Sequence, residues 1–219
     1  MPDSNSTSLI AFEDWTLRIR ESTNPGARLL LLIHGHTGDE NSMWVFARNL
    51  PAPYWMVAPR ASYPAESGGF SWRPPQTGNY DQLGPERLES AAEALIRLVD
   101  EYSASVKLDA SRFDVMGFSQ GAAVCSTLAF LHPGRIRKTG MLAGFVPSGL
   151  EELLSKRPLE GKPFFVAHGT KDETVPIERA RESIALLEQA GAHVTFCEDD
   201  VGHKVSAPCL RALQKFFAD

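Results

Sequence analysis

Short apolar segments alternate along the chain with segments whose apolar residues recur at helical spacing. Leu29–Ile33 and Phe113–Phe118 are almost continuously apolar, which is typical of strands covered on both faces. Trp15–Arg20 alternates between apolar and polar residues, which predicts an edge strand with one exposed face. Further buried strands are predicted at Tyr54–Ala58, Thr139–Ala143, Phe164–Ala167 and Val194–Cys197.

Helical spacing joins Leu88 to Tyr102 and Ala180 to Leu187, and a closing helix is predicted from Leu210 to Phe217. Strands that alternate with helices predict an α/β fold, with a mostly parallel central sheet and helices on both faces. At 219 residues the chain suits one domain, predicted over residues 10–219 after a flexible tail of residues 1–9. The long segment Pro59–Pro85 is rich in proline and glycine, and irregular segments of this length are usually functional.

Composition narrows the class of protein. Hydrophobic residues make up 43% and charged residues 22%, which is ordinary for a globular protein, and the net charge of −5 argues against a nucleic-acid partner. The N-terminus is polar and lacks the pattern of a signal peptide, and no apolar run is long enough to span a bilayer. We therefore expect no integral membrane association and a cytoplasmic location.

The cysteines Cys125, Cys197 and Cys209 are odd in number and form no C-x-x-C pair. This spacing indicates neither a disulfide framework nor a zinc site. Cys125 falls inside a predicted helix, where we expect a buried free thiol.

The most informative motif is Gly117–Gly121, which reads G-x-S-x-G between a predicted strand and the predicted helix Ala122–Leu131. Strand, G-x-S-x-G and helix are the setting of a nucleophile elbow, a tight turn that exposes a serine hydroxyl at a helix N-terminus. Ser119 is therefore the candidate nucleophile.

A serine nucleophile needs a base, and His203 is the best placed of the histidines that follow Ser119. His203 lies in the loop between the last predicted strand and the last helix, where an imidazole could lean over the elbow. His132 ends the elbow helix and His193 begins a strand, so both should lie away from the elbow. His168 follows a strand, but we expect it to pack or hydrogen-bond locally.

The acid that orients the base is predicted to be Asp172, in the turn His168–Pro176 after the penultimate strand. Asp199 and Asp200 are competitors close to the base, although shaping the loop is the simpler role for them. Glu173 is adjacent to Asp172 and should point elsewhere.

An oxyanion hole requires two convergent N–H donors. The backbone N–H of Gln120, after the nucleophile, is one candidate, and that of His36, in the loop after the buried strand Leu29–Ile33, is the other. Metal binding by His34 and His36 is the alternative. The two imidazoles should lie on opposite faces and no further ligand is suitably spaced, so no metal site is predicted.

The motifs Leu32–Gly38, Gly117–Gly121, His168–Pro176 and Gly202–His203 together resemble those of the phospholipase/carboxylesterase family of α/β-hydrolases, which includes bacterial carboxylesterases and acyl-protein thioesterases. The resemblance covers the chain from about residue 10. It implies the α/β-hydrolase fold with a minimal lid, no cofactor, and a serine carboxylesterase acting on a small-molecule ester. It also implies that Ser119, Asp172 and His203 form the catalytic triad, the same three residues that the motifs and their positions indicate.

Two departures from the family pattern bear on the substrate. The position of His36 is commonly apolar in acyl-protein thioesterases, and Arg73 followed by two prolines does not match their pattern. Both favour a small or short-to-medium acyl group, and plain packing is an equal alternative for the candidate pocket residues. These residues are Phe70, Trp72, Phe145 and Val175.

The alternatives are an acyl-protein thioesterase or lysophospholipase with the same triad, and a hydrolase fold that only binds a ligand. The oligomeric state stays open, with a homodimer as one alternative.

Overall fold

A computed structural model describes residues 6–50, 53–74 and 86–218 of the chain. The strands are β1 Ser8–Phe12, β2 Trp15–Arg20, β3 Arg28–Ile33, β4 Tyr54–Pro59, β5 Tyr63–Pro64, β6 Phe70–Ser71, β7 Phe113–Phe118, β8 Ile136–Leu142, β9 Pro163–Gly169 and β10 His193–Asp199. The helices are α1 Trp44–Ala47, α2 Glu86–Ser105, α3 Gln120–Leu131, α4 Ile177–Gln189 and α5 Ala207–Ala218, with a 3₁₀ helix at Glu151–Lys156.

Eight strands form the central sheet in the order β1-β2-β4-β3-β7-β8-β9-β10. From β4 to β10 every neighbouring pair is parallel, whereas β2 runs antiparallel to β4 and β1 antiparallel to β2. The predicted mostly parallel sheet is therefore confirmed. The short strands β5 and β6 pair separately, inside the segment predicted to be irregular.

The two faces of the sheet pack against different helices, as the unbroken apolar runs predict. Along β3, Leu29, Leu31 and Ile33 belong to the core beneath α2 and α3, while Leu30 and Leu32 belong to the core beneath α1 and α5. All five side chains are completely buried. A strand with no polar face is stable only in the middle of such a sandwich.

The prediction that Trp15–Arg20 is the edge strand is wrong, because β1 pairs along its outer side from Ser8↔Ile19 to Phe12↔Trp15. The tight connection places Glu13 at φ 48°, in the left-handed region. The strand thus begins inside the segment predicted to be a flexible tail. Three of its five residues are exposed and only Ile10 and Phe12 pack against the core, so the apolar alternation that could have marked the strand in the sequence is short.

The order of the strands brings the candidate site residues that follow β3 and β7 to the same edge of the sheet. The segments after β3 and β7 leave neighbouring strands at the same edge, and β3 connects onward toward β4 whereas β7 connects onward toward β8. The crevice at such a reversal is where open α/β sheets hold their ligands. Ser119 follows β7 directly, and His36 follows β3.

One sequence prediction about the cysteines is wrong. Cys197 on β10 and Cys209 on α5 form a disulfide with a Cα–Cα distance of 5.7 Å, whereas Cys125 is free and buried as expected. The pairing depends on α5 folding back onto β10, which a spacing of 12 residues does not reveal. Disulfides are uncommon in a reducing cytosol, so the cysteines no longer support the cytoplasmic location, which stays a prediction.

Candidate active site

Ser119 sits in a strained turn between β7 and α3. Its backbone angles are φ 53° and ψ −117°, a conformation that costs energy for a residue with a Cβ. The turn is this tight because Gly117 and Gly121 allow backbone contact: a Cβ on Gly117 would lie 2.2 Å from the carbonyl oxygen of Gly121, and one on Gly121 would lie 2.0 Å from that of Ile33. The predicted elbow is thus present in its geometry.

Asp172 and His203 are hydrogen-bonded to each other. His203 Nδ1 lies 2.7 Å from Asp172 Oδ2, and the aspartate side chain is fully buried while that of His203 is 23% exposed. The other carboxylate oxygen, Oδ1, accepts the backbone N–H groups of Thr174 and Val175 at 2.9 Å each. The turn after β9 therefore fixes the orientation of the Asp172 carboxylate independently of its hydrogen bond to His203.

The elbow and the His203 loop are in contact. Phe118 precedes Ser119, and its ring centroid lies 5.0 Å from that of His203. The loop is held over the end of β9 by hydrogen bonds from the Thr170 and Lys171 N–H groups to the carbonyls of Asp199 and Val201. Three chain segments that are distant in sequence thus bring Ser119, Asp172 and His203 to one edge of the sheet.

The competing acids lie elsewhere. Glu173 is exposed, and Asp200 pairs with Lys171 Nζ at 2.8 Å on the surface. Asp199 accepts the N–H of Asp200 through its side chain, so these two residues shape the loop as expected. Hydrogen bonds from Ser206 and from that N–H lower the pKa of Asp199.

His168 is a neighbour of the site that sequence reasoning placed only in part. Its Nε2 lies 2.8 Å from the carbonyl oxygen of Val175, the local bond that was expected, but also 3.3 Å from Asp172 Oδ2. Asp172 therefore lies between two imidazoles. The only sign in the sequence that His168 contacts Asp172 was their separation by four positions. Both side chains point inward because the chain bends after β9.

The loop after β3 is organised around the buried His34. The ring Nε2 accepts the N–H of Ala61 at 3.0 Å, so Nδ1 carries the proton and donates it to the carbonyl of Gly35 at 2.7 Å. The His34 carbonyl accepts the indole N–H of Trp72 at 2.8 Å. Burial lowers the pKa of His34, in keeping with a neutral ring whose acceptor nitrogen is in use.

This buried imidazole should make the fold sensitive to acid. A histidine whose pKa is lower in the folded than in the unfolded chain favours unfolding once the pH falls below the unfolded value of about 6.5. The contribution of His34 is thus present above that pH and lost below it, by at most about 1.4 kcal/mol per pH unit. We expect the free energy of unfolding, measured with urea from pH 7.5 to pH 5, to fall less steeply in His34→Gln.

Glutamine keeps an acceptor for the Ala61 N–H but does not titrate. The matched control is His193→Gln, since His193 is an exposed histidine at the start of β10. An equal pH dependence in His34→Gln and the parent protein would show that His34 does not link acid to unfolding.

The segment around β6 holds the loop after β3 in place. The N–H of Thr37 donates to the carbonyl of Phe70, and the N–H of Phe70 donates to that of Gly38. The approach is so close that a Cβ on Gly69, which has φ +70°, would lie 2.0 Å from the Thr37 carbonyl oxygen. This part of the proline- and glycine-rich segment therefore supports the loop that carries His36, while residues 75–85 lie outside the described part.

Gln120 contributes a side chain that sequence reasoning missed. Its Oε1 accepts the backbone N–H of Trp72 at 3.0 Å, and its Nε2 donates to Ser71 Oγ at 3.2 Å. The residue after Ser119 thus ties the elbow to the segment that follows β6. As the first residue of α3, its backbone N–H has no helical carbonyl one turn earlier.

The candidate pocket residues differ in exposure. Trp72 is 2% exposed, and Phe145 and Val175 are each 6% exposed. Phe70 is partly exposed beneath the guanidinium of Arg60. The guanidinium of Arg179, on α4, lies 3.8 Å from the ring centre of Phe145, a cationic neighbour that the sequence did not indicate.

Two absences apply to the part of the chain that the structure describes. No group of three histidine, cysteine or acidic side chains is arranged to hold a metal ion. No helix there combines the length and the apolar character that crossing a bilayer requires.

The chain is similar to known proteins over nearly its whole length. Residues 16–219 match a family described as Phospholipase/Carboxylesterase. Acyl-protein thioesterase 1 of Debaryomyces hansenii is 24% identical over 93% of this chain and 95% of its own length. The fold is similar to that of a carboxylesterase from Mesorhizobium loti, with a TM-score of 0.81 at 22% identity over 97% of this chain and 98% of the other. Zea mays acyl-protein thioesterase 2 gives a TM-score of 0.76 at 19% identity over 92% of this chain and 97% of its own.

Proposed function

The chain belongs to the phospholipase/carboxylesterase family and is a serine hydrolase of esters or thioesters. We propose that Ser119, His203 and Asp172 form its catalytic triad. The observation that carries the proposal is the 2.7 Å contact between His203 Nδ1 and a buried carboxylate, beside a serine held in an elbow. A histidine that served only as a surface residue would not require a hydrogen bond to a fully buried carboxylate, as His203 makes to Asp172.

In the proposed reaction Ser119 Oγ attacks the acyl carbonyl carbon while His203 Nε2 takes the hydroxyl proton. His203 then gives this proton to the departing alkoxide or thiolate, which leaves an acyl-enzyme. Water attacks the acyl-enzyme, passes a proton to His203 and releases the acid together with the free serine. Asp172 stabilises the imidazolium, since its Oδ2 faces Nδ1 in a fully buried position.

The oxyanion that forms at each attack would be held by the backbone N–H groups of Gln120 and His36. The first lies at the N-terminus of α3, where the helix dipole favours negative charge. The second lies in the loop that β6 and Trp72 hold in place. Donors fixed before the reaction stabilise the developing charge without reorganising, and this is usually the largest single catalytic effect.

A small or short-to-medium acyl ester is the proposed substrate. Burial and the nearby charge of Arg73 lower the pKa of His36, so a cation lies close to the loop of the oxyanion hole. Trp72 and Phe145 are almost fully buried and are tied into the core. Polar and charged groups at this edge favour a small ester over a long lipid chain. Thioester hydrolysis is the second candidate, because an acyl-protein thioesterase is among the relatives.

The test is a panel of p-nitrophenyl esters from acetate to palmitate, assayed beside an acyl-CoA and a lysophospholipid. We expect kcat/KM to be highest for the short esters and the rate to rise between pH 5 and pH 8, because the base must be neutral to accept a proton. EDTA should leave the rate unchanged. A maximum at palmitate or at the acyl-CoA would overturn the proposed substrate, and a rate that is flat with pH would overturn the base.

A further inference from the structure

A cavity of about 330 Å³ lies between β2 and α1, and none of its lining residues belongs to the candidate active site. This volume is at the lower end of the range of small-molecule sites, roughly 300–1,000 Å³. Three of the lining residues are arginines. The lining consists of Thr7, Arg18, Arg20, Asn41, Trp44 and Arg48.

The deepest of these arginines, Arg20, is buried, and no carboxylate of the described residues pairs with it. It is 6% exposed, and among the described residues its side chain donates one hydrogen bond, from Nη1 to the carbonyl of Arg48 at 3.2 Å. Within residues 6–50, 53–74 and 86–218 no carboxylate forms an ion pair with Arg18, Arg20 or Arg48. Burial lowers the pKa of Arg20, but a guanidinium stays charged at neutral pH. A buried charge without a partner is costly, and an anion in the cavity would offset that cost.

Arg18, the second arginine of the lining, is oriented by neutral partners. Arg18 donates from Nη1 to Thr7 Oγ1 at 3.0 Å and from Nε to Asn41 Oδ1. The carboxylates nearest to Asn41 are already engaged: Glu40 pairs with Arg60 at 2.7 Å, and Asp39 accepts the N–H and the amide of Asn41. Neither carboxylate forms an ion pair with the three arginines of the lining.

We propose that this cavity binds a phosphate group. Guanidinium groups match phosphate oxygens through paired N–H donors, and a phosphate dianion offsets more of the three positive charges than a single carboxylate would. The group could belong to a soluble phosphomonoester or to a lipid headgroup. One observation favours the lipid headgroup. Leu9 and Val45, the two large apolar side chains that are exposed among the described residues, flank the cavity, since Leu9 pairs with Arg18 and Val45 follows Trp44.

Thermal unfolding with sodium phosphate, against sodium chloride at equal ionic strength, tests the site. Phosphate should raise the Tm of the parent protein by about 3–6 °C at ten times the dissociation constant. Arg48→Gln removes an exposed charge at the end of α1 and should weaken phosphate binding about tenfold, as measured by calorimetry. Arg97→Gln, an exposed arginine on α2, should bind phosphate as the parent does.

Arg20→Met gives a second, independent outcome. Replacing a buried unpaired charge by an apolar side chain should raise the Tm without phosphate and abolish the effect of phosphate. Equal stabilisation by phosphate and chloride, or unchanged phosphate binding in Arg48→Gln, would overturn the proposal.

Vesicles distinguish the two sources of the phosphate. Co-sedimentation with phosphatidylcholine vesicles containing phosphatidic acid, and its loss in Arg48→Gln, would assign a lipid headgroup. Phosphate binding in solution without co-sedimentation would assign a soluble phosphomonoester. Ester hydrolysis enters neither measurement, so failure here is separate from failure of the proposed triad.

Discussion

Ester hydrolysis by the Ser119→Ala variant is expected to fall by about 10⁴- to 10⁶-fold, while the Tm stays close to that of the parent protein. The size follows from removing the nucleophile, which leaves only the oxyanion donors and substrate binding to assist attack by water. Stability should be kept because alanine retains the Cβ, so the strain at φ 53° is the same in both proteins. Initial rates with p-nitrophenyl acetate and a thermal melt provide the two measurements.

Phenylmethylsulfonyl fluoride gives an independent reading of the same serine. Mass spectrometry should find one covalent adduct on the parent protein and none on Ser119→Ala. Ser111→Ala, an exposed serine in the turn before β7, is the matched control and should keep both the adduct and the activity. Full activity in Ser119→Ala would end the serine mechanism proposed for this site.

The elbow around Ser119 and the buried strand β3 could be predicted from the sequence because each is formed by consecutive residues. Gly117 and Gly121 flank the serine because the backbone passes within contact distance there, so the motif and its geometry have one cause. The completely buried residues of β3 likewise follow from an apolar run that only the middle of a sheet can accept. Position after a strand was enough to select Asp172 and His203, whose side chains the structure joins.

Contacts between distant segments were not predictable in the same way. The disulfide between Cys197 and Cys209 depends on how α5 returns to β10, and nothing in their spacing encodes that return. The bonds from Gln120 to Trp72 and from Trp72 to His34 join segments separated by 48 and 38 positions. Glutamine and tryptophan carry no local signature of such a role. Strand β1 was missed for a different reason, since only two of its residues, Ile10 and Phe12, face the core and both are only partly buried.

Asp172→Asn should depress kcat by about 10⁴-fold while leaving the fold intact, and the structure gives the reason. Oδ1 of Asp172 accepts two backbone N–H groups, of Thr174 and Val175, so the amide oxygen of asparagine should take that place. Its NH₂ group would then face His203 Nδ1, which would have to accept a hydrogen bond instead of donating one. The proton would move to Nε2, where the imidazole could no longer act as a base toward Ser119.

Three neighbouring substitutions remove the same charge and separate a specific bond from a general electrostatic effect. Asp199→Asn, Asp200→Asn and Glu173→Gln should each change kcat by less than about tenfold, because these side chains meet the loop surface or solvent. A long-range effect of charge would make all four variants alike, whereas a hydrogen bond to one imidazole sets Asp172 apart. His168 also distinguishes Asp172 from the other three residues. Its Nε2 lies 3.3 Å from Asp172 Oδ2, so it would contact the NH₂ group that asparagine places there. If Asp199→Asn or Asp200→Asn reduced kcat most, the acid would have to be placed on the His203 loop and not in the turn after β9.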